Sequence, residues 1–316
     1  MQKKEKISLI IPCYNEEEVL PILYQEINKV SKELENVIFE LIFIDDGSKD
    51  KTLNFLKKIA KKDERVRYIS FSRNFGKEAA MYAGLKNITG DYAAIMDADM
   101  QDPPEMLKIM YHYIKEENYD CVALYTKSHD EYGIIRKTLT NIWYNMIDKI
   151  SPSRQVPGAR DFRLITRQVA DSITNMPEYN RYTKGIFGFI GYRTKWIEYN
   201  APNREAGTSK FNIYKLMKYA LEGIVSFSTK PLILAAYTGI LFCLMAFLTI
   251  IVIIGKTIIW GDPVSGWPSL ACLIVFIGGI QLFFLGIIGI YLSKIYLEIK
   301  NRPVYIVKET EKDNYE

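Results

Sequence analysis

The sequence predicts an α/β domain on a largely parallel sheet, followed by a pair of apolar helices and a short polar tail. Three observations carry that prediction. Short β-branched runs alternate with helix-like stretches through the first hundred residues, a polar cluster follows each run, and charge vanishes from two long stretches near the C-terminus. The 316 residues are 48% hydrophobic and 25% charged, with a formal net charge of +4. Such a composition excludes a disordered, collagen-like or disulfide-scaffold chain, and its length suffices for about two domains. The positive excess is too slight for an electrostatic nucleic-acid binder, so no nucleic-acid partner is expected.

Taken in order, residues 7–13 (ISLIIPC), 38–44 (IFELIFI), 66–71 (VRYISF) and 92–97 (YAAIMD) read as strands. Helices are expected at Glu17–Leu34, Lys51–Lys62 and Lys77–Lys86 between them. Ligands of such sheets sit at the carboxyl ends of the strands. Those ends carry Tyr14–Glu16, Asp45–Ser48, Arg73–Lys77 and Asp97–Asp102. Met1–Lys6 is polar and leads directly into the first strand, which predicts no cleaved leader.

The segment DADMQDPP at 97–104 carries the plainest chemistry. Asp97 and Asp99, two residues apart on leaving a strand, can aim two carboxylates at one point, and Gln101 adds a neutral oxygen. Hard divalent cations such as Mg²⁺ or Mn²⁺, already bridged to phosphates, suit that set. The competing reading of a lone DxD is a solvated turn or a helix cap; Asp102, before Pro103 and Pro104, fits the cap. Asp45-Asp46-Gly47-Ser48 is a turn in which Ser48 can cap the next helix, or a site where a carboxylate accepts bonds from a nucleotide base or ribose. GxGxxG is absent after the first strand and GxxxxGK[ST] is absent throughout, which removes dinucleotide dehydrogenases and P-loop NTPases. Cys13, Cys121, Cys243 and Cys272 are widely spaced and read as buried thiols, and two histidines are too few for a histidine-rich metal site.

Between Lys230 and Lys256 and again from about Pro263 to Ser293 the chain lacks charge, long enough for two membrane-crossing helices. Buried helices of a large soluble core are the alternative. Lys215, Lys218 and Lys230 precede the first stretch and Lys294, Lys300 and Arg302 follow the second, so the positive-inside rule puts both termini in the cytoplasm and the short loop outside. Tyr237, Trp260, Trp267 and Tyr291 suit the interfaces. The expected layout is a cytoplasmic-membrane protein with a globular domain at 1–210, a juxtamembrane amphipathic helix at 211–229, two spans within 230–297 and a tail at 298–316. Glu309–Glu316 is charged and expected to fray. Residues 134–150 place Ile135, Leu139, Ile142, Trp143, Met146 and Ile150 at helical spacing with Arg136, Lys137 and Lys149 between, a pattern of an interfacial helix or of an ordinary surface helix. Gly278, Gly279, Gly286 and Gly289 permit close helix packing, as in a homo-oligomer.

The ordered motifs IIPCYNEEE (10–18), FIDDGSKDKT (43–52), SRNFGKEAA (72–80), DADMQDPPE (97–105), GARDFRLITR (158–167) and REAGTSKF (204–211) resemble the family 2 glycosyltransferases. Within them the likeness is to the dolichol-phosphate mannosyltransferase and bacterial polyprenyl-phosphate glucosyltransferase group. About three quarters of the chain carries it. Phe189 departs from the tryptophan that related sequences often have. The resemblance implies a GT-A catalytic domain that transfers a hexose with inversion from a nucleotide sugar, UDP-glucose or UDP-GlcNAc, to polyprenyl phosphate in the bilayer. It implies that Pro12, Tyr14, Asn15, Glu16, Asp46 and Lys77 line the donor pocket and that Arg204, Ser209 and Lys210 close over the diphosphate. Asp97, Asp99 and Gln101 would hold Mg²⁺ or Mn²⁺, and Arg136 and Arg163 would meet the acceptor phosphate. Asp161 would face the reaction centre with Asp99, as a base, as an orienter of Arg160 or Arg163, or in the metal shell; Arg163 is alternatively a structural ion-pair partner. Two rivals stand beside this reading. A processive polysaccharide synthase of the same family would carry QxxRW, which is absent, and a catalytically idle membrane adaptor would not need Asp97, Asp99, Asp161 and Arg204 intact.

Overall fold

The computed structural model describes residues 4–126, 156, 158–199, 230–260 and 266–314. They divide into two units: residues 1–212 with 302–316, and residues 213–301. The candidate interfacial helices at 134–150 and 211–229 lie outside the described residues.

The first unit opens with β1 (Glu5–Cys13), α1 (Leu20–Glu33), β2 (Val37–Asp45), α2 (Thr52–Ala60), β3 (Val66–Phe71), α3 (Lys77–Lys86) and β4 (Tyr92–Ile95). These are the elements that the alternating pattern predicts. There follow α4 (Met106–Glu117), β5 (Cys121–Tyr125), β6 (Ala159–Thr166), α5 (Arg167–Thr174), α6 (Thr183–Phe189), β7 (Thr194–Glu198) and β8 (Val307–Thr310). The sheet runs β7-β5-β6-β4-β1-β2-β3-β8. β3, β2, β1 and β4 are parallel, whereas β6 lies antiparallel against β4. Strand order therefore reverses at β1, where successive connections leave in opposite directions and open a crevice at the carboxyl ends of β1 and β4.

Period-2 alternation decides what each face buries. Ile7, Leu9 and Ile11 of β1 and Phe39, Leu41 and Phe43 of β2 join Leu23 and Ile27 of α1, Leu56 of α2, and Leu107 and Met110 of α4 in one core. The opposite face takes α3, whose residues 79–85 are all buried. Its Gly84 lets that helix approach closely, because a Cβ there would stand 2.2 Å from Ile10 Cγ2. Among the buried strands one carboxylate is fully engaged: Glu40 accepts from Ser8 Oγ at 2.5 Å, Thr89 N at 3.0 Å and Arg67 Nη1 at 2.9 Å. Burial alone would raise the Glu40 carboxyl, but these donors outweigh it and hold the group below its ordinary value.

The C-terminal segment corrects the expectation of a frayed tail. Val307–Thr310 forms β8, antiparallel on the exposed edge of β3, and a 3₁₀ turn follows at Glu311–Asn314. Two opposite-charge pairs fix it: Lys57 with Glu309 at 2.5 Å and Arg67 with Glu311 at 3.0 Å. Tyr305 stacks on Phe71 with ring centroids 4.9 Å apart. An unpaired edge strand and two cations beside it supply partners that acidic residues in the tail alone do not reveal.

The second unit holds α7 (Lys230–Trp260) and α8 (Trp267–Ile299), of 31 and 33 residues. At 1.5 Å per residue each is more than 45 Å long, roughly. Within α8, Phe276–Ile299 is 24 residues of mean hydropathy 2.0, long and apolar enough to cross a membrane, and none of it is buried. Phe242 and Phe276 meet edge to face at 6.0 Å. Among the described residues that segment of α8 alone meets the crossing criterion; Tyr237–Thr249 of α7 is a shorter apolar stretch.

Arg67→Met should leave Glu40 and Glu311 without their shared cation and destabilise the first unit by about 2–3 kcal/mol, read as a lowered unfolding temperature. Because the Glu40 value is depressed, its contribution is complete above the ordinary glutamate value and is lost as pH falls through the lowered native value. The gap between wild type and variant should accordingly narrow below about pH 4.

Candidate active site

Two turns at the strand ends interlock. Asn15, just past β1, has φ 57°, a left-handed conformation that asparagine tolerates. Its amide N–H donates to Ser48 Oγ at 3.0 Å, and its Oδ1 accepts from Lys49 N at 2.8 Å. Ser48 therefore binds the first turn and does not cap α2. Glu16 N donates to Thr52 Oγ1 at 2.8 Å. Tyr14 and Asn15 are exposed and Pro12 and Glu16 half-buried, so all four border the crevice at the strand-order reversal.

Asp45 and Asp46 hold the floor. Asp45 accepts from Ser70 Oγ at 2.7 Å and Ser48 N at 3.1 Å. Asp46 is 4% exposed and accepts from Phe75 N at 2.6 Å and Gly76 N at 2.9 Å. Both Asp46 oxygens thus face backbone donors of the loop before α3, so Asp46 pins the loop that delivers Lys77. Gly47 allows the close approach, at φ 70°. A Cβ on it would lie 2.5 Å from the Arg73 carbonyl carbon and 2.8 Å from Asn74 N.

The centre is set by strand register. β4 and β6 pair Tyr92 with Thr166 and Ile95 with Arg163, and continuing that register two residues sets Asp97 against Asp161. Lys77, the first residue of α3, donates to both: its Nζ is 2.6 Å from Asp97 Oδ1 and also bonds Asp161 Oδ2. Lys184, from α6, stands 3.6 Å from Asp161 Oδ1. Burial acts to raise the Asp161 carboxyl, but Lys184 and Lys77 outweigh it and hold it below the ordinary range. Asp97 shifts the other way: burial raises it, Lys77 opposes, and Asp161 and Asp99 add repulsion. Glu16 is raised by burial and then by Asp99, Asp50 and Asp97. Asp97, Asp99 and Glu16 therefore repel one another within one field, against the Lys77 charge.

Neighbouring residues support this group. Gln101 N donates to Asp99 Oδ1 at 3.1 Å. Buried Asp102 binds Arg160 Nε at 2.8 Å, and α4 has no side-chain cap, so Asp102 anchors Arg160 and does not cap that helix. Gln101 Oε1 accepts from Arg160 Nη2 at 3.3 Å. Arg163, 3% exposed, donates to the backbone oxygens of Asp161 at 3.3 Å and Arg160 at 3.0 Å, with its guanidinium 3.9 Å from the Phe187 ring centroid. Such an interior position is at odds with the expectation of an acceptor-phosphate ligand: Arg163 braces the turn that carries Asp161. Arg136, Arg204, Ser209 and Lys210 lie outside the described residues. Sequence reasoning missed Lys184, for which the spacing of YTKGIFGF gave no signal, and Glu78, which holds Thr183 through the backbone N–H at 2.8 Å and through the hydroxyl.

A parallel core in the order β3-β2-β1-β4, with acids leaving β4 and a further acid on the antiparallel strand beside it, defines a GT-A-type glycosyltransferase. Residues 8–174 match the family model for glycosyl transferase family 2. The chain is 40% identical over 311 residues to the SfII prophage-derived bactoprenol glucosyl transferase of Shigella flexneri, covering 98% of this chain and 99% of that protein. It is also 40% identical to the prophage bactoprenol glucosyl transferase homolog of Escherichia coli K12, over 97% of this chain and all of that one. The putative glycosyltransferase CsbB of Bacillus subtilis matches at 40% identity over 97% of this chain and 92% of its own length. Mannosyl-3-phosphoglycerate synthase from Rubrobacter xylanophilus overlaps 70% of this chain and 73% of its own at a TM-score of 0.48 and 16% identity. This chain belongs to glycosyl transferase family 2.

Gly47→Ala should force a left-handed alanine against the 73–74 backbone and loosen both Asp46 bonds. The expected outcome is a loss of about 1–3 kcal/mol in thermal unfolding together with weaker nucleotide-sugar binding in titration calorimetry.

Proposed function

We propose that this protein is a membrane-anchored, inverting transferase that moves glucose from UDP-glucose to polyprenyl phosphate on the cytoplasmic face of the membrane. The observation that carries the reading is that similarity to the bactoprenol glucosyl transferases runs through nearly the whole chain, apolar C-terminal helices included. A nucleotide-sugar domain acting on a soluble acceptor would not need those helices. Their exposed apolar surface is suited to lipid, which water would not solvate favourably. Connectivity supports two crossings. Residues 302–314 rejoin the sheet that residues 5–198 build, so both ends of the helical unit belong on one side of a bilayer. An odd number of crossings would separate β8 from β3.

A divalent cation fits the acid cluster. Lys77 Nζ already brings Asp97 and Asp161 around one positive charge, and Asp99 and Glu16 repel within the same field. Among the described residues no three acidic, histidine or cysteine side chains converge tightly enough to hold an ion alone. Asp97 and Asp99, with Gln101 beside them, would therefore share Mg²⁺ or Mn²⁺ with diphosphate oxygens and water, a usual coordination for such ions. When bound, the ion supplies positive charge to the departing diphosphate.

The chain's own residues do the rest. Tyr14, Asn15 and Glu16 border the donor's crevice, and the loop pinned by Asp46 brings Lys77 beside the diphosphate. An acceptor phosphate oxygen forms the new bond to the anomeric carbon as the bond from that carbon to the diphosphate breaks, and the electron pair leaves on the diphosphate oxygen. The nucleophile is already an anion. A general base works best with a pKa near the operating pH. Asp161, held below the ordinary carboxylate range, instead stays ionised and orders the cations around it.

Detergent-purified protein incubated with polyprenyl phosphate, Mg²⁺ and radiolabelled UDP-glucose should give lipid-extractable label, and a panel of other nucleotide sugars should give less. No label with any donor would refute the reading. Asp99→Ala should lower transfer by about a hundredfold or more with an unchanged unfolding temperature, and chelator should abolish wild-type transfer. Asp161→Asn should lower kcat by roughly a hundredfold equally across pH 6–8. Because its carboxyl is depressed, it protonates only below the ordinary carboxylate range; a variant whose loss varies with pH in that window would restore the base assignment.

A further inference from the structure

Asp161 presents two different sides. Its Oδ2 faces Lys77, which also binds Asp97 on the donor side. Its Oδ1 faces Lys184 at 3.6 Å. Lys184 Nζ also donates to Ala159 O at 3.1 Å, and its side chain is 34% exposed. An ammonium has three N–H donors, and among the described residues Ala159 O alone lies within hydrogen-bond distance of this one, so donors remain for a ligand. The other cations around Asp161 are differently engaged. Lys77 sits between two carboxylates, Arg160 is bound by Asp102, and Arg163 is buried on backbone carbonyls.

The position of Lys184 is built. Glu78, the second residue of α3, accepts from the backbone N–H and hydroxyl of Thr183, the residue before Lys184. Lys77 is the residue before Glu78. One two-residue step at the start of α3 thus reaches Asp97 and Asp161 with its first side chain and fixes the start of α6 with its second, so two ammonium groups meet the two oxygens of one carboxylate. An incoming phosphate monoester would be repelled by ionised Asp161 unless a cation met it on the side away from the donor.

Resting on the transferase reading above, we propose that Lys184 binds the acceptor phosphate and sets it against Asp161, opposite the donor side that Lys77 occupies. The contact is a charge-assisted hydrogen bond to a phosphate oxygen. Removing one such bond changes binding by roughly tenfold to a hundredfold.

The test uses the full chain in detergent with citronellyl phosphate as a short acceptor and citronellol as its uncharged counterpart. Lys184→Gln should raise KM for citronellyl phosphate by roughly tenfold to a hundredfold and leave KM for UDP-glucose unchanged. Calorimetric binding of citronellyl phosphate without donor should weaken by the same factor, citronellol should bind both proteins equally weakly, and Lys184→Arg should recover most of the loss. An unchanged acceptor KM in Lys184→Gln, or a shift confined to UDP-glucose, would overturn the assignment while wild-type turnover left the transferase reading standing. If wild type neither labels polyprenyl phosphate nor binds citronellyl phosphate, that reading fails and the assignment falls with it. Should Lys184→Gln not fold, Lys184→Met and Lys184→Arg carry the same comparison, with a loss in both overturning the role of charge.

Discussion

The site depends on one backbone constraint, the antiparallel pairing of β6 with β4. A parallel strand in that place would present a different end to the crevice. Because β6 runs the other way, its beginning lies beside the end of β4, and the register that pairs Ile95 with Arg163 carries Asp161 to Asp97. Two carboxylates from segments 64 residues apart then share the Lys77 ammonium. Like charges so close would raise each other's pKa and resist folding. Lys77 and Lys184 oppose that repulsion: at Asp161 they hold the carboxyl low, whereas at Asp97 burial outweighs Lys77 and the group stays raised.

The lysine is placed by a second chain of constraints. Asp46 holds the amides of Phe75 and Gly76, and Gly47 admits the neighbouring backbone at a distance no side chain would permit. α3 then begins with Lys77 and Glu78 in fixed positions. Its Ala-rich, wholly buried body, with Gly84 against Ile10, anchors that beginning to the sheet. Precision at the site therefore comes from packing behind it, where buried donors and acceptors have no water to fall back on.

The far edge of the sheet is closed by the chain's own end. β8 covers β3, removing an exposed edge, and Arg67 joins Glu40 of β2 to Glu311 of the tail. Tyr305 stacks on Phe71, which meets Phe75 edge to face at 5.8 Å, so the segment after α8 and the loop before Lys77 share one aromatic cluster.

The alternating pattern in the sequence determined β1 to β4 and α1 to α3, because period-2 and period-3.6 burial are local properties of a chain. It also determined that Asp97 and Asp99 stand at a strand end and that 230–260 and 267–299 are apolar helices. Tertiary structure alone decided that Asp46 serves a loop, that Arg163 is interior, that Asp102 holds Arg160 and that Lys184 reaches Asp161. It alone turned the acidic tail into a strand. For Asp46, Asp102 and the tail the deciding partner is distant in sequence: Phe75 for Asp46, Arg160 for Asp102, Lys57 for Glu309. A sequence records which groups need partners, whereas sheet order and register choose among the partners available.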